Sequence, residues 1–290
     1  MALDPRCNAW RADLADARLR GAVAAPRYVE GQQARVVVGR APVRRFPSPE
    51  TGLDTFYHYG EDVLVFAVAG GYAWCQSRFD RYVGYVEEGH LALGTPAEAG
   101  HFVATLGSYT YEAPDLRSAV IDFLPRHSAV VVAAPARTTR GTDYVGLDTG
   151  GFLPRACLSP EQPRSPSLVA AASLYLGVPY LWGGRSFLGI DCSGLVQCAF
   201  RDIGVAVPRD SDMQRDAIGD VVSAGAIADL RRGDLIYLPG HVLIYAGAGR
   251  VIHADGVSMT VRRDNLAAWL AARGLALDSL TIRRHKAAAD

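Results

Sequence analysis

The first half of the chain alternates short apolar runs with glycine, proline and aspartate. Residues 34–93 contain the runs ARVVV, DVLVFAVAG, YAWCQ and RYVGYV, and residues 101–158 repeat the pattern with HFVATLG, AVIDFL and SAVVVAA. Both series contain a Tyr-Val-Gly step, at residues 82–84 and 144–146. Short runs rich in β-branched and aromatic residues between turn residues are typical of strands. The pattern therefore predicts two small all-β barrels in tandem.

The second half follows a different pattern, which begins after the proline-rich segment LSPEQPRSPS. Proline at this density favours extended backbone and is typical of a linker. Ser165 followed by Pro166 predicts the start of a helix through LVAAASLYLG, which Gly177 ends. A glycine-rich loop, a second helix and three strands follow, and the strands are DLIYL, HVLIYAG and RVIHADG.

These patterns predict an α+β protein whose chain divides into five regions. The regions are an N-terminal leader with a short helix in LADARLRG (residues 1–33), a first barrel (34–95), a second barrel (96–158), a linker (159–167) and a mixed helix and strand domain (168–290).

Cys192 stands at the start of the second helix of that domain. Apolar residues at positions i, i+3, i+4 and i+8 from Leu195 form one helix face, and Gly204 ends the helix. Asp191 is placed to cap this helix, so Cys192 falls in its first turn. There the unpaired amides and the positive end of the helix dipole favour a thiolate, and the Ser193 amide is placed to stabilise an oxyanion.

Two histidines are candidates for the base that a cysteine nucleophile requires. His241 lies in PGHVLIYAG and His253 in RVIHADG. A hairpin turn centred near Gly247 would place the two histidines directly opposite each other, because their numbers sum to 494. One of them would then act as general base and the other would orient its ring. A one-residue slip in register would break this pairing.

Composition and charge narrow the function classes. Apolar residues make up 49% and charged residues 21% of the 290 residues, and 30 basic residues balance 30 acidic ones. The balance is typical of a globular protein of about two domains and argues against nucleic acid or a membrane surface as partner. Five scattered cysteines without a C-x-x-C pair indicate free thiols in a reducing compartment. No signal-peptide core or apolar run of 18 residues is present, so we expect a cytoplasmic protein.

No cofactor or metal is expected from the motifs. A zinc site of Cys192, His241 and His253 would have one thiolate and no fourth ligand at usual spacing. The loop GGRSFLG matches neither the phosphate-binding G-x-x-x-x-G-K-[ST] nor the dinucleotide-binding G-x-G-x-x-G spacing.

Residues 166–284 resemble the NlpC/P60 cysteine peptidases. The similar blocks are YLWGGRSFLGIDCSGLVQCAF, VPRDSDMQ, GDLIYLPGHVLIYAG and VIHADG, in that order. The resemblance implies a papain-like catalytic domain with Cys192 as nucleophile, His241 as base and His253 as the orienting residue. The two barrels resemble bacterial SH3-like domains, which precede the peptidase domain in enzymes that cleave free murein peptides.

In that subgroup the enzymes cleave between γ-D-glutamate and the following diamino acid and require a free N-terminal L-alanine. The resemblance implies substrate-binding roles for seven residues. Asp191 and Asp210 would pair with the ammonium, Ser193 and Ser211 would bind the dipeptide, Trp182 would wall the alanine pocket, and Tyr82 and Glu61 of the first barrel would close it. An ordinary helix or loop cap is the alternative for Asp210 and Ser211, and plain packing is the alternative for Tyr82.

The sequence therefore predicts a monomeric cysteine endopeptidase that takes murein peptide as its substrate in cell-wall peptide recycling. Two alternatives remain open. The same thiol fold could serve an acyltransferase or amidase, in which the pair of aspartates would have no clear use. A non-enzymatic peptide-binding protein is the other alternative, but it would not need all three of the cysteine and histidines.

Overall fold

The computed structural model describes residues 3–95 and 97–288. The chain forms two compact units, Met1–Pro163 and Arg164–Asp290. The boundary lies within the segment predicted as a linker. All five cysteines are free thiols. Within the described part of the chain, none of the helices has the length and apolar character needed to cross a bilayer.

The first unit is built almost entirely of strands. They are β1 (Trp10–Arg11), β2 (Leu14–Asp16), β3 (Tyr28–Val29), β4 (Gln32–Val36), β5 (Arg40–Arg44), β6 (Leu53–His58), β7 (Asp62–Ala69), β8 (Tyr72–Ser77), β9 (Val83–Glu87), β10 (Leu91–Leu93), β11 (His101–Val103), β12 (Gly107–Tyr111), β13 (Val120–Pro125), β14 (Ala129–Val130), β15 (Val132–Thr139), β16 (Thr142–Leu147), β17 (Phe152–Pro154) and β18 (Leu158–Ser159). Single 3-10 turns lie at Ala17–Leu19, Glu88–His90 and Arg155–Cys157.

The strands fall into two groups along the chain. Strands β4 to β10 form one seven-stranded sheet in the order β10-β4-β7-β8-β9-β5-β6 around a core that includes Val36, Val43 and Val63. Strands β11 to β18 form a five-stranded sheet, β13-β12-β17-β16-β15, and a three-stranded one, β14-β11-β18. This grouping supports the division into two barrels at residues 34–95 and 96–158, which we keep as a proposal.

The N-terminal segment differs from its prediction as a leader with a short helix. Leu14–Asp16 is a strand in the three-stranded sheet β1-β2-β3, and only one 3-10 turn, Ala17–Leu19, follows it. The reason is tertiary contact, since Leu14 is buried in a cluster with Phe66 and Trp74 of the neighbouring sheet. Burial of this kind overrides the weak helix propensity of a short segment.

The two strand groups of the first unit, which are the proposed barrels, pack against each other. Tyr59, from the turn after β6, is buried in the same cluster as Val103 and Leu124 of the second barrel. The Gly39 amide donates a hydrogen bond to the Asp122 carboxylate. A Cβ atom at position 39 would lie 2.1 Å from the carbonyl oxygen of Phe123, so only glycine fits this contact.

The second unit has four helices and eight strands among its described residues. The helices are α1 (Leu168–Ser173), α2 (Cys192–Asp202), α3 (Ser211–Ala217) and α4 (Leu266–Ala271). The strands are β19 (Arg185–Ser186), β20 (Gly189–Ile190), β21 (Asp220–Val222), β22 (Leu235–Leu238), β23 (His241–Gly247), β24 (Arg250–Asp255), β25 (Thr260–Asn265) and β26 (Thr281–Arg284). Single 3-10 turns lie at Ile227–Asp229, Leu277–Ser279 and Lys286–Ala288.

A six-stranded sheet, β21-β26-β22-β23-β24-β25, separates two apolar cores in this unit. Helices α1 and α2 pack on one face, where Leu195 and Phe200 meet Val242 and Ile244. Helix α4 packs on the other face, where its Trp269 shares a cluster with alternate strand residues, among them Leu243, Tyr245 and Val251. The two faces follow from the side-chain alternation of a strand.

The first helix begins later than predicted. Ser167 is its N-cap, and the Ser167 hydroxyl accepts a hydrogen bond from the Ala170 amide. Ser165 has a different role, because its hydroxyl donates to the Asp202 carboxylate at 2.6 Å. The chain turns after the helix at Gly177, whose φ is +84°.

We expect Gly39→Ala to destabilise the first unit, because the new methyl group would overlap the Phe123 carbonyl. Overpacking of this kind costs about 1–3 kcal/mol of unfolding free energy. Gly52→Ala is the matched control, since a Cβ at position 52 meets no atom within 4 Å. Urea unfolding of the full chain would measure both variants, and equal midpoints for the two would contradict the packing of the barrels described above.

Candidate active site

Cys192 is the first residue of helix α2, as the sequence predicts. Asp191 is the N-cap residue, and its carboxylate accepts a hydrogen bond from the Gly194 amide at 2.7 Å. Cys192 is 7% exposed and belongs to the core between α2 and the sheet. The thiol therefore lies in a helix first turn that is shielded from bulk water.

The glycines before the helix bring two backbone segments together. A Cβ at Gly194 would lie 2.2 Å from the Gly184 carbonyl oxygen, and one at Gly184 would lie 2.5 Å from the Gly189 carbonyl oxygen. The loop can therefore rest directly on the start of α2. At Gly184 and Gly194 the absence of a side chain thus leaves room for neighbouring backbone.

Asp191 is held in a dense set of hydrogen bonds. Its carboxylate accepts from the Gly183 and Gly194 amides, the Ser193 hydroxyl and the Arg209 guanidinium. The bond from Arg209 is bidentate, at 3.0 and 2.6 Å, and the Arg209 and Asp191 side chains are 1% and 9% exposed. A carboxylate oxygen pair has about four acceptor sites, and these contacts use them. These contacts hold the turn before α2, and the predicted contact of Asp191 with a substrate ammonium stays a proposal.

Ser193 and the segment before α3 belong to the same hydrogen-bond network as Asp191. The Ser193 hydroxyl accepts from Arg209 at 2.8 Å, and its predicted contact with the dipeptide stays a proposal. The Gln214 amide donates to the carbonyl oxygens of Ser193 and Pro208, both at 2.9 Å. Arg209 and Gln214 thus fix the VPRDSDMQ segment against the start of α2.

The Cys192 thiol lies against strand β23 on both sides of His241. Its Sγ atom is 3.9 Å from the Gly240 carbonyl oxygen, and the Val242 amide donates a hydrogen bond to the sulfur. His241, the first residue of β23, is therefore bracketed by two residues that contact the nucleophile. This placement is what the sequence could not supply, since it depends on how α2 packs on the sheet.

The two histidine rings meet, although the predicted register is wrong. Ile244 pairs with Ile252 and Tyr245 with Val251, so opposite residues sum to 496 and not 494. The error arises because the turn lies at residues 248–249, between the paired Gly247 and Arg250, and not at Gly247; a bulge between Tyr245 and Gly247 then changes the sum by one. A shift of two preserves the face of each side chain, so the histidines are diagonal neighbours. His241 Nε2 lies 2.9 Å from His253 Nδ1.

Two residues that we did not predict complete this face of the sheet. The Oδ2 atom of Asp264, on strand β25, is 3.1 Å from His253 Nε2. The Trp269 ring stacks on His241, with ring centroids 5.9 Å apart and planes at 19°, and meets His253 edge to face. Asp264 lies opposite Val251 and so diagonal to His253, which only the strand register could have predicted.

Burial controls the protonation of the nucleophile and of the base. It raises the pKa of the Cys192 thiol to about 12, and the Asp191 charge raises it further, whereas amide hydrogen bonds lower it. It lowers the pKa of His241 to about 4. It also lowers the pKa of His253, against the opposing effect of Asp264. Burial thus favours a neutral thiol and a neutral imidazole at neutral pH, against the helix terminus, which favours a thiolate.

The other residues predicted for the substrate site in this unit are more exposed. Asp210 is the N-cap residue of α3, is half-buried, and makes no side-chain capping hydrogen bond. Ser211, the first residue of α3, is also half-buried, and Trp182 is 67% exposed on the loop before Gly183. Tyr180, which we did not predict, has its hydroxyl pKa raised to about 12 by burial and then by Cys192.

Tyr82 and Glu61 lie in the first unit, and both are buried. The Tyr82 carbonyl oxygen accepts from the Tyr57 hydroxyl at 2.7 Å, and Tyr82 lines a cavity of about 710 Å³ together with Trp10 and Tyr85. Glu61 Oε2 accepts from the His58 amide at 3.1 Å. These contacts fit the packing alternative, and a substrate role for either residue stays a proposal.

Comparison with known proteins identifies related sequences for both units. The NlpC/P60 family profile matches residues 177–273, and the profile of the bacterial dipeptidyl-peptidase Sh3 domain matches residues 43–91. Dipeptidyl-peptidase 6 of Lysinibacillus sphaericus is 31% identical over 193 residues, which cover 60% of this chain and 70% of that protein. The γ-D-glutamyl-L-lysine dipeptidyl-peptidase of Bacillus subtilis is 32% identical over 115 residues, and the match spans 36% of each chain.

A solved structure supports the same fold. The crystal structure of an NlpC/P60 family protein from Bacillus cereus superposes with a TM-score of 0.69 at 20% identity, covering 87% of this chain and 99% of that one. The predicted fold class, an NlpC/P60 domain preceded by SH3-like barrels, is confirmed by this likeness and by the two matched profiles. With the cysteine and histidines at the positions described, and with a relative matched over 70% of its length, the chain belongs to the NlpC/P60 family.

Proposed function

We propose that the chain is a cysteine endopeptidase that hydrolyses the γ-D-glutamyl–diamino acid bond of murein peptides with a free N-terminal L-alanine. The observation that carries the proposal is Cys192 in the first turn of α2, against the backbone on both sides of His241. The name of the Bacillus subtilis relative supports the γ-D-glutamyl specificity. Membership of a peptidase family supports hydrolysis in general.

The first half-reaction forms an acyl-enzyme. His241 takes the thiol proton as the sulfur attacks the γ-glutamyl carbonyl carbon, and the amides of the α2 first turn stabilise the oxyanion. The imidazolium then gives its proton to the amine of the diamino acid, which leaves as the carbon–nitrogen bond breaks. Because thiol and imidazole both start neutral, proton transfer accompanies attack and does not precede it.

The second half-reaction restores the enzyme. His241 takes a proton from water, whose oxygen attacks the thioester carbonyl, and collapse of the adduct breaks the carbon–sulfur bond. The thiolate regains the proton, and L-Ala-γ-D-Glu is released. The His253 ring, 2.9 Å from His241, keeps the base in place through both steps.

The proposed substrate carries a free ammonium, for which a carboxylate is the natural partner. We assign the ammonium contact to Asp191 and Asp210, the dipeptide contacts to Ser193 and Ser211, and the wall of the alanine pocket to Trp182. A carboxylate that the bound peptide shields from water rejects an acylated, uncharged terminus, because the carboxylate is then left unpaired. In murein the alanine amine is acylated until the peptide is released, so this selectivity suits an enzyme that acts on free peptides during cell-wall recycling. We propose that the enzyme acts in the cytoplasm as a monomer.

Cys192→Ala should abolish cleavage of L-Ala-γ-D-Glu-diaminopimelate between the second and third residues. Loss of a nucleophile costs at least about 10⁴-fold in kcat. Cys198→Ala is the matched control on the same helix, because Cys198 packs with its sulfur 3.2 Å from the Arg185 carbonyl oxygen. Chromatographic assay of the released dipeptide decides the result, and full turnover by the Cys192 variant would overturn the mechanism.

N-acetylation of the substrate alanine should lower kcat/KM by about 10²-fold or more, because it removes the charge that Asp210 would bind. Asp210→Asn should lower kcat/KM for the free-amine peptide and narrow its advantage over the acetylated one. Asp212→Asn, in the exposed first turn of α3, serves as control. Equal rates on the two peptides with the unsubstituted enzyme would remove the ammonium pocket from the proposal.

The acid limb of kcat/KM should lie well below the ordinary imidazole pKa of about 6.5. Only neutral His241 accepts the thiol proton, and burial lowers its pKa to about 4. Activity should therefore persist at pH 5 and fall as the pH approaches 4. Steady-state rates from pH 4 to 8, with circular dichroism to verify folding, would measure this, and an acid limb at pH 6.5 or above would contradict it.

A further inference from the structure

We propose that Asp264 is a positioning residue that sets, through two imidazole rings, the tautomer in which His241 presents an unprotonated Nδ1 to Cys192. This inference depends on the proposed function only for which reaction the enzyme catalyses. Its structural basis is the row of contacts from Asp264 Oδ2 to His253 Nε2 at 3.1 Å and from His253 Nδ1 to His241 Nε2 at 2.9 Å.

The proton positions follow from what each group can donate. An ionised carboxylate only accepts, so the proton of neutral His253 must be on Nε2. Its Nδ1 then carries a lone pair and accepts from His241, which must hold its own proton on Nε2. The remaining nitrogen of His241, Nδ1, is left unprotonated. It is also the ring nitrogen nearer to the backbone of β23, which Cys192 contacts at residues 240 and 242.

In the surroundings of His253, its contacts with Asp264 and His241 determine its tautomer. His253 is 0% exposed, so water does not compete for its nitrogens. Two further charges face the rings, Asp255 on β24 and Arg273 just after α4. Asp255 is engaged elsewhere, since its carboxylate accepts from the Ser258 amide at 2.9 Å and lies 3.7 Å from Arg273.

Arg262 gives the carboxylate a fixed orientation. Its guanidinium donates to Asp264 Oδ1 at 2.8 Å, while Oδ2 faces His253. Because a guanidinium only donates, the atom of residue 264 that faces it must be an acceptor. In Asp264→Asn the amide oxygen would face Arg262 and the amide NH₂ would face His253. His253 Nε2 would then have to accept, which reverses both proton positions and leaves His241 Nδ1 protonated.

Three variants test the proposal against a plain structural role. Asp264→Asn keeps the shape and should lower kcat by about 10²-fold or more, with KM little changed. A carboxylate-to-amide exchange that enforces the wrong tautomer costs about 10⁴-fold in a serine-protease triad, and here a second ring intervenes. Asp264→Ala should lower kcat less than the asparagine variant, and Asp264→Glu should recover part of the loss. Asp278→Asn, at an exposed carboxylate, should have no effect.

The decisive measurement needs no substrate. Histidine-selective ¹⁵N NMR distinguishes protonated from unprotonated ring nitrogens, and it should show Nδ1 of His241 unprotonated in the parent protein and protonated in Asp264→Asn. A failure of the parent enzyme to cleave murein peptides would overturn the proposed function but leave this result readable. An unchanged tautomer and unchanged kcat in a folded Asp264→Asn variant would overturn the role of Asp264. So would an equal loss of kcat in Asp264→Asn and Asp264→Glu with the parent tautomer retained.

Discussion

The buried ion pair between Arg209 and Asp191 is the interaction on which the catalytic half of the molecule depends. It joins three segments that are distant in sequence: the glycine loop at 183–184, the first turn of α2 and the segment before α3. Removing one partner of such a pair leaves an unpaired buried charge, which costs about 3–5 kcal/mol. The position of the Cys192 backbone is therefore fixed by charge pairing as well as by apolar packing.

The same packing shields the Cys192 thiol from water, and this burial disfavours the charged forms of the catalytic groups. A thiol and an imidazole that are both buried resist separation of charge, which is why both are neutral at rest. In the proposed mechanism, two preorganised features favour charge separation during the reaction. The amides of the α2 first turn stabilise the developing oxyanion, and Asp264, acting through His253, stabilises the developing imidazolium of His241. The site is thus arranged for charge that appears only during turnover.

Much of this arrangement follows from the sequence, because it depends on local pattern. The cap at Asp191, the extent of α2, the strands that carry the histidines and their common face are all determined by short-range periodicity and are confirmed in the structure. The predicted register of the hairpin is wrong by two, because neither the position of the turn at residues 248–249 nor the bulge beside it can be read from alternation alone.

What the sequence could not supply depends on contacts between distant segments. Arg209 pairs with Asp191 across 18 residues, which gives that carboxylate a role in holding the start of α2. Asp264 and Trp269 reach the histidines only because β25 and α4 fold back onto the same sheet face. In the first unit, burial of Leu14 against Phe66 and Trp74 converts a predicted helix into a strand.

The central sheet also has a consequence for how the site can change. Cys192 belongs to the core on the α1 and α2 face, whereas Trp269 and its contacts with both histidines belong to the face covered by α4. His241 stands at the start of β23, where the backbone on both sides of it contacts the Cys192 sulfur and where its ring packs against Trp269. Substitutions in α4 can change the basicity and orientation of the His241 imidazole without altering the packing around the Cys192 thiol. The surroundings of the base and those of the nucleophile can therefore change independently of each other.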